Sequence, residues 1–417
     1  MIRCTYLFIL SGITLAFGCQ SPPETSESAI DDTTSQEVPV KQVLSPASVA
    51  SGEPNLFVDP SGQVYLSWVE EVESGHELRY AAWQDEQWSS PQTIAQGDNW
   101  FVNWADFPSM AVTDAFAAAH WLQKSAEGTY DYDVQVALSP HSQEHWDDSF
   151  VLHQDGKAAE HGFVTLLPLS SEEILSVWLD GRNTQQEDGA MNLFANIITP
   201  TGTTVPGTQL DDRVCDCCQT DAALTGEGAV IVYRNRTEDE VRDIYVVRKT
   251  ASGWSEPQPL HNDNWQIAGC PVNGPAICAQ NQNVAVAWFT AAQEMPKVQV
   301  VFSKDGGKAF GEPVRVDEQK PLGRVDIELV DAHTAVVSWM ENTGNGATIR
   351  LISVYDDGTK GQPMTLATTQ SSRSSGFPIM AQADDRLYFA WTHASDSTSE
   401  IRTAWMPTNH FTKETDL

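Results

Sequence analysis

The chain has 417 residues, of which 57 are acidic and 24 are basic, so its formal net charge is -33 at pH 7. This acidic excess argues against nucleic acid and against anionic lipid surfaces as partners, because both would be repelled. Hydrophobic residues make up 41% of the chain, which is enough for a folded body and excludes a wholly disordered protein.

The first residues predict export. Arg3 is followed by an apolar run over residues 6–17 that is too short for a membrane-spanning helix, so it indicates a signal peptide. The run ends at Gly18-Cys19, which resembles a bacterial lipoprotein signal. That resemblance implies a signal peptide over residues 1–18, a lipid on Cys19 and, because Gln20 rather than Asp follows, transfer to the outer membrane of the cell envelope. An ordinary cleaved signal remains the alternative.

Residues 19–37 are rich in Ser, Thr, Pro and acidic residues and show no apolar periodicity. Such a composition cannot bury a core, so we expect a flexible acidic linker anchored by the lipid. No later segment has the apolar length of a membrane helix, so the membrane is contacted only through the N-terminal lipid. The expected folded domain is 38–410, followed by a tail at 411–417, and we expect a monomer.

Short apolar runs that end in an aromatic residue recur along this domain at intervals of 51 to 57 residues. The seven aromatic residues are Trp68, Trp121, Trp178, Tyr233, Trp288, Trp339 and Trp391. A period near fifty with short β-rich segments is typical of a propeller, so the sequence predicts an all-β fold with seven blades. The seventh repeat lacks its fourth strand, and "VKQVLSP" at 40–46 matches it. The N-terminal strand is therefore predicted to close the ring, which removes the exposed sheet edges.

One hairpin carries a more specific pattern. Its residues Ser303, Asp305, Gly307 and Phe310 fit the Asp-box motif S-x-D-x-G-x-x-F. The motif resembles that of the sialidase-like, or BNR-repeat, propellers, which raises a six-bladed ring as the alternative fold. In that family these hairpins lie away from the active site. The family's Arg-Ile-Pro motif is missing and no tyrosine–glutamate pair can be assigned, so no catalytic residue carries over from the resemblance.

Arginine is scarce, yet several arginines fall in loops or strand ends of the third to sixth repeats. The predicted ligand-binding residues there are Arg182, Arg213, Arg234, Arg242 and Arg324, with Asp326 and Trp265. The planar guanidinium suits carboxylates, sulfates and phosphates, and tryptophan suits a sugar ring. The competing interpretation is that each arginine pairs with a nearby acid. If the protein hydrolyses glycosides, carboxylates on facing loops are needed, and the candidates are Asp180, Asp216 and Asp243.

Four cysteines lie in two loops of the fourth and fifth repeats. "RVCDCCQTD" contains Cys215, Cys217 and Cys218, and "GCPVNGP" contains Cys270 in the matching loop of the next repeat. Disulfides are the default for an exported protein, and this interpretation is slightly preferred. The alternative is a copper or zinc site with thiolate ligands. Free thiols are the third interpretation.

Taken together, these segments resemble exported bacterial sialidase-like propellers with the CDCC motif, whose function is unsettled. The resemblance implies a shared site in the third to sixth blades but no reaction. The main hypothesis is recognition of an anionic or carbohydrate ligand there, with hydrolysis by an exo-sialidase-like glycoside hydrolase left open. The alternatives are a cysteine-ligated metal or redox protein and a non-catalytic interaction platform.

Overall fold

A computed structural model describes residues 40–141, 145–203, 206–395 and 398–413. These residues form seven antiparallel sheets, and each is a blade of a ring-shaped propeller. The predicted seven-bladed fold is confirmed, and the six-bladed alternative is wrong. The predicted signal peptide, the lipid-bearing Cys19 and the linker lie outside the described residues. Among the described residues we find no helix with the length and apolar character needed to cross a membrane.

Each blade has four main strands, and three blades carry an additional short strand. The strands of the first three blades are Ser51–Val58, Val64–Val72, Gly75–Gln84, Gln87–Trp88 and Gln92–Gly97; Ser109–Val112, Phe116–Lys124, Tyr132–Pro140 and Phe150–Val151; and His161–Ser170, Glu173–Asp180, Met191–Thr199, Gly202–Thr203 and Thr208–Val214.

The remaining blades follow the same order. Their strands are Asp221–Thr225, Gly228–Arg234, Ile244–Thr250, Gly253–Trp254 and Gln258–Pro259; Ala276–Gln280, Asn283–Thr290, Lys297–Ser303 and Val314–Arg315; Pro321–Asp331, Thr334–Asn342, Ala347–Tyr355 and Met364–Thr369; and Ile379–Ala383, Arg386–Ala394, Ser399–Pro407 and Lys41–Val43. Three short 3₁₀ turns are Ala292–Glu294, Arg373–Ser375 and Thr408–His410.

The repeated aromatic residue occupies the second strand of every blade and is buried in each case. The apolar side chains of neighbouring blades pack against one another, so the core is divided among the interfaces between blades. Burial of large aromatic rings at each interface contributes strongly to the stability of the ring. The spacing of the repeat in sequence is thus the spacing of blades in the structure.

The ring closes as the sequence predicts. Lys41–Val43 pairs antiparallel with Ser399–Pro407, and Lys41 lies opposite Trp405. The Lys41 ammonium also lies 4.2 Å from the centroid of the Trp405 ring. Beyond the last strand, Phe411 is buried against the sixth and seventh blades. Both ends of the described chain therefore contribute to the same part of the ring.

The innermost strands surround a central cavity of ≈ 280 Å³. Buried carboxylates on this lining tie one blade to the next. Asp106 accepts a hydrogen bond from the amide of Phe163, at 2.6 Å, and Asp221 accepts one from Ile277, at 2.8 Å. Burial raises the pKa of both carboxyl groups to about 7.

The Asp-box hairpin joins the third and fourth strands of the fifth blade. The Asp305 carboxylate accepts hydrogen bonds from the amides of Lys308 and Ala309, each at 3.0 Å, and the Ser303 hydroxyl accepts one from Gly307. Gly307 has φ of 76°, a left-handed conformation that favours glycine. Ser303, Asp305 and Gly307 therefore build the turn itself, whereas Phe310 packs against the core between the fourth and fifth blades.

Candidate functional site

Most of the predicted site residues lie at one end of the ring. There, loops at residues 98–108, 152–160, 215–220, 260–275 and 370–378 connect the last strand of one blade to the first strand of the next. Loops between second and third strands reach the same end. We call this end the connecting-loop face. The Asp-box hairpin belongs to the opposite end, because it joins a third strand to a fourth.

The sulfur atoms of three cysteines converge on the connecting-loop face. The Cys215 sulfur lies 3.3 Å from that of Cys218 and 3.8 Å from that of Cys217. All three sulfurs lie within 4.8 Å of one another. Cys215 and Cys218 are buried, whereas Cys217 is half-buried. We call these three residues the thiol triad.

Cys270 reaches the thiol triad from the next connecting loop. Its sulfur interacts with that of Cys217, and this contact lowers the pKa of Cys270. The side chain is exposed, unlike those of the triad. All of these cysteines are free thiols, so the slightly preferred disulfide is not formed in this structure. A sulfur separation of 3.3 Å is a non-bonded contact, because a disulfide bond is about 2.0 Å long.

Two arginines lie against the thiol triad. The Arg242 guanidinium donates a hydrogen bond to the Cys215 sulfur over 3.2 Å and also pairs with Glu240 at 2.8 Å. Burial alone would raise the pKa of Cys215. Its hydrogen bonds with Cys217 and Cys218, together with the positive charges of Arg242 and Arg234, instead lower that pKa well below its usual value. The environment thus favours a thiolate at Cys215.

Arg234 is buried and has no carboxylate partner among the described residues. Its guanidinium donates to the carbonyl oxygens of Asn273, Arg242 and Phe289 at 2.6–3.0 Å. It also lies 4.9 Å from the centroid of the Trp265 ring. Trp265 is itself buried, with 6% of its surface exposed. Neither predicted ligand-binding residue therefore presents a surface to an external ligand.

Two further predicted arginines have partners within the protein. Arg182 forms an ion pair with Asp180 at 2.6 Å. Arg213 is half-buried and donates to the carbonyl oxygen of Asp188 at 3.1 Å. The five predicted arginines thus have separate partners in the structure. Arg182 pairs with a nearby acid, as the competing interpretation expects.

Arg324, like Arg234, is buried and has no carboxylate partner among the described residues. Its guanidinium donates to the carbonyl oxygens of Ser372 and Gly376 at 3.0–3.1 Å. The nearby Asp326 does not pair with it, because that carboxylate accepts a hydrogen bond from the amide of Met380 instead. Burial, together with repulsion from Arg373, lowers the pKa of Arg324 to about 10. Arg324 therefore stays charged at neutral pH without a carboxylate partner among the described residues.

Arg324 belongs to a group that also contains Trp104 and Arg373. The centroid of the Trp104 ring lies 4.8 Å from the Arg324 guanidinium carbon and 6.0 Å from that of Arg373. Phe377 stacks on Trp104, with ring centroids 5.8 Å apart. Arg373 is exposed and Trp104 is half-buried. We call Trp104, Arg324 and Arg373 the arginine–tryptophan site.

Two of the three predicted catalytic carboxylates are buried. Asp180 is fully buried and accepts a hydrogen bond from the Trp178 indole at 2.8 Å. Asp243 is also buried and accepts hydrogen bonds from the amides of Asn264 and Trp265. Both therefore support loops and neighbouring side chains. Asp216 is the more accessible candidate, and it lies 3.4 Å from Arg236 and from Arg242.

A different carboxylate has the properties of a proton donor. Glu160 shares the Tyr132 hydroxyl with Asp106, at 2.9 Å and 3.1 Å respectively. Burial, and to a lesser extent the charge of Asp106, raises the pKa of Glu160 to about 8. The sequence does not reveal the shared tyrosine, because Tyr132 lies in the second blade whereas Asp106 and Glu160 lie in the loops before and after that blade.

A cluster of histidines lies beside Glu160. Asp155 accepts hydrogen bonds from His153 and His161 at 3.0 Å each, and the two imidazole rings stack with centroids 3.5 Å apart. The other nitrogen of His161 contacts the carbonyl oxygens of Tyr132 and Ala159. Internal hydrogen bonds thus satisfy His161, and the cluster supports the loop that carries Glu160.

The chain is similar in fold to several solved propellers. A polysaccharide lyase described as PL25 ulvan lyase has a TM-score of 0.57 and 13% identity, over 88% of this chain and 96% of that one. The polysaccharide lyase Uly1 has a TM-score of 0.53 and 8% identity, over 92% and 94% of the two chains. A Dyadobacter fermentans protein of unknown function has a TM-score of 0.51 and 12% identity, over 88% and 98%.

These similarities establish the fold, and they include propellers that act on glycans. The sequence matches no protein-family model and no curated protein. The site must therefore be interpreted from its own residues. Two groups on the connecting-loop face bring charged or reactive side chains together and each includes at least one side chain that is not buried: the thiol triad and the arginine–tryptophan site.

Proposed function

We propose that this protein binds an anionic glycan at the arginine–tryptophan site. The observation that supports this function most strongly is the juxtaposition of Arg324 and Arg373, which have no carboxylate partner among the described residues and repel one another. In a chain with a net charge of -33, two such neighbouring cations are conspicuous. An anionic group beside the exposed Arg373 would accept hydrogen bonds from that guanidinium and relieve its repulsion with the buried Arg324.

Trp104 gives the proposed site its preference for a sugar. An indole ring offers an apolar face against which the C–H groups of a pyranose can stack. Carboxylate and sulfate substituents of the same sugar would then lie beside the guanidiniums. The structure of one similar propeller is described as bound to -[GlcA(1-4)Rha3S]-, a negatively charged repeat, with a TM-score of 0.56. That description supports the same class of ligand here.

The geometry supports binding better than hydrolysis. A glycosidase needs two carboxyl groups that both face the scissile bond. Glu160 could donate a proton, but Asp106, which shares Tyr132 with it, is only 2% exposed. The predicted catalytic residues Asp180 and Asp243 are also buried. We therefore assign recognition of the glycan, rather than its hydrolysis, as the function.

The test is a binding screen of the purified full chain against neutral, uronate-containing and sulfated oligosaccharides, followed by calorimetry on the positive ligands. We expect binding of charged oligosaccharides only, and a loss of at least about tenfold in affinity, or 1.4 kcal/mol, for Arg373→Gln. Arg402→Gln is the matched control, because Arg402 is exposed and pairs with Glu400 on the seventh blade. Equal binding of neutral oligosaccharides, or an unchanged affinity in Arg373→Gln, would contradict the proposal.

We further propose that the propeller is held at the outer membrane by a lipid on Cys19. The lipoprotein-like Gly18-Cys19 and the acidic linker that follows support this. A tether of this kind would hold the connecting-loop face near glycans of the envelope or of its surroundings.

A further inference from the structure

The thiol triad has the composition of a metal site. Its three sulfurs lie within 4.8 Å of one another, with individual separations of 3.3 Å and 3.8 Å. An ion with metal–sulfur bonds of about 2.3 Å holds its ligand sulfurs roughly 3.8–4.0 Å apart. The sulfurs therefore need only small shifts to surround one ion.

The loop that carries the triad is held at both ends before any ion binds. The amide of Cys215 donates to the carbonyl oxygen of Arg234 at 2.9 Å. After Cys218, the Gln219 side chain donates to the carbonyl oxygen of Ala105 and accepts from the amide of Gly274. Such fixation lowers the entropy lost when three ligands are brought to one ion.

The charges around the triad favour an anionic complex. Arg242 donates to the Cys215 sulfur, and Arg234 is buried with only carbonyl acceptors. A buried cation without a counter-charge is unfavourable, so a neighbouring negative group would stabilise it. Three thiolates around a monovalent cation carry a charge of about -2. Arg234, which has no carboxylate partner among the described residues, offsets part of this charge, whereas Arg242 is shared with Glu240 and Asp216.

We propose that Cys215, Cys217 and Cys218 bind one soft metal ion, Cu(I), as three thiolate ligands. Soft thiolates favour Cu(I), whereas zinc in structural sites takes four ligands. In the described part of the chain the group of mutually close ligand atoms contains only three sulfurs, which fits a three-coordinate ion. Each thiol that becomes a ligand releases one proton, and the copper keeps its oxidation state throughout.

The proposal is independent of the glycan site, because no residue of the arginine–tryptophan site belongs to the triad. The experiment uses the full chain, reduced and kept free of oxygen, and titrates it with Cu(I) against a coloured Cu(I) chelator. X-ray absorption then counts the sulfur neighbours of the bound copper. We expect one Cu(I) per chain with three sulfur neighbours, and protons released on loading.

Variants distinguish the ligands from their surroundings. Cys218→Ser should abolish stoichiometric binding, and Arg242→Gln should weaken it by about tenfold or more, as expected for a residue that contacts a ligand. Cys270→Ser should keep one copper per chain, because Cys270 does not belong to the group of three mutually close sulfurs. Cys278→Ala is the matched control, because Cys278 is a buried thiol of an inner strand of the fifth blade and should leave copper binding unchanged.

Several results would overturn the proposal. One is retention of copper by Cys218→Ser in a variant whose circular dichroism matches the parent. Another is preferential binding of zinc with four sulfur neighbours. A third is a thiol count that rises on reduction of the isolated protein, which would indicate a disulfide in the cluster. If Cys218→Ser fails to fold, Cys217→Ser replaces it, because Cys217 is only half-buried.

Discussion

The Asp326 carboxylate of the sixth blade accepts a hydrogen bond from the backbone amide of Met380 in the seventh blade, with 2.5 Å between Oδ2 and N. Its other oxygen accepts from the amide of Ile327 at 2.8 Å. Asp106 and Asp221 link their neighbouring blades in the same way. Asp326 is one of the ligand-binding residues predicted from the sequence, but in the structure it joins two inner strands.

This linkage predicts a pH-dependent stability. Burial, aided by the charge of Asp221, raises the pKa of Asp326 from 3.8 to about 7. The folded protein therefore holds a proton that the unfolded chain has lost, so stability falls as pH rises from about 4 to about 7. Each pKa unit corresponds to about 1.4 kcal/mol. Calorimetry should show that the Tm of the parent decreases between pH 5 and pH 8. The decrease in Asp326→Asn should be smaller by about a few degrees.

The control for the pH experiment is Asp114→Asn, since Asp114 is an exposed turn residue of the second blade. The Tm of Asp114→Asn should change with pH as much as the Tm of the parent does. If Asp326→Asn and Asp114→Asn behave alike, Asp326 does not hold a proton in the folded protein.

A second prediction concerns the contact between the second and third blades. A Cβ atom at Gly162 would overlap the Asp106 carboxylate, which accepts a hydrogen bond from the next amide, that of Phe163. Gly162→Ala should therefore lower the free energy of unfolding by about 1–3 kcal/mol. Urea denaturation measures this. Gly269→Ala should be nearly neutral, because no atom lies within 4 Å of its added Cβ; equal effects would refute the proposed overlap.

A third prediction separates charge from stacking in glycan binding. Arg373 is exposed, so its attraction for an anionic sugar should be screened by salt. Affinity should fall as sodium chloride is raised, and the fall should be smaller in Arg373→Gln. Trp104→Ala should instead lower the affinity at every salt concentration and leave the slope unchanged. Identical salt slopes for the parent and Arg373→Gln would show that the guanidinium does not contact the ligand.

A fourth prediction concerns the N-terminus. Cys19→Ser should remove the site of lipid attachment, so the protein should move from the membrane fraction to the soluble fraction and lose incorporation of labelled palmitate. Cys278→Ser should do neither. Continued labelling of Cys19→Ser, or a parent protein found only in the soluble fraction, would contradict the lipoprotein prediction.

The fold was predictable because its determinants are local and repeated. Every blade places a large aromatic residue in its second strand, so the repeat of Trp68, Trp178 and Trp339 can be read directly. Closure by the strand at Lys41–Val43 was also predictable. The last repeat lacks a fourth strand, and the start of the domain has the sequence pattern of such a strand.

The site was less predictable because its contacts cross blade boundaries. The sequence predicts that Arg324 and Asp326 both bind a ligand, with pairing to a nearby acid as the competing interpretation, but the inner strand has a register shift between Gly323 and Asp326 and the two side chains have different partners. Arg324 instead contacts carbonyls of the loop at 370–378, near Trp104. The approach of Cys270 to the thiol loop was correctly anticipated from matching loop positions in adjacent blades.

The closure of the ring has a consequence for the order of folding. The Thr403 hydroxyl donates to the carbonyl oxygen of Val43, a contact between residues separated by 360 positions in sequence. Contacts so distant form late, because a long loop must close before they can be made. The strand Lys41–Val43 therefore stays unpaired until the last blade, which contains its partner Ser399–Pro407, is available. Until then the growing chain has an exposed strand edge, which makes this interval its greatest risk of aggregation.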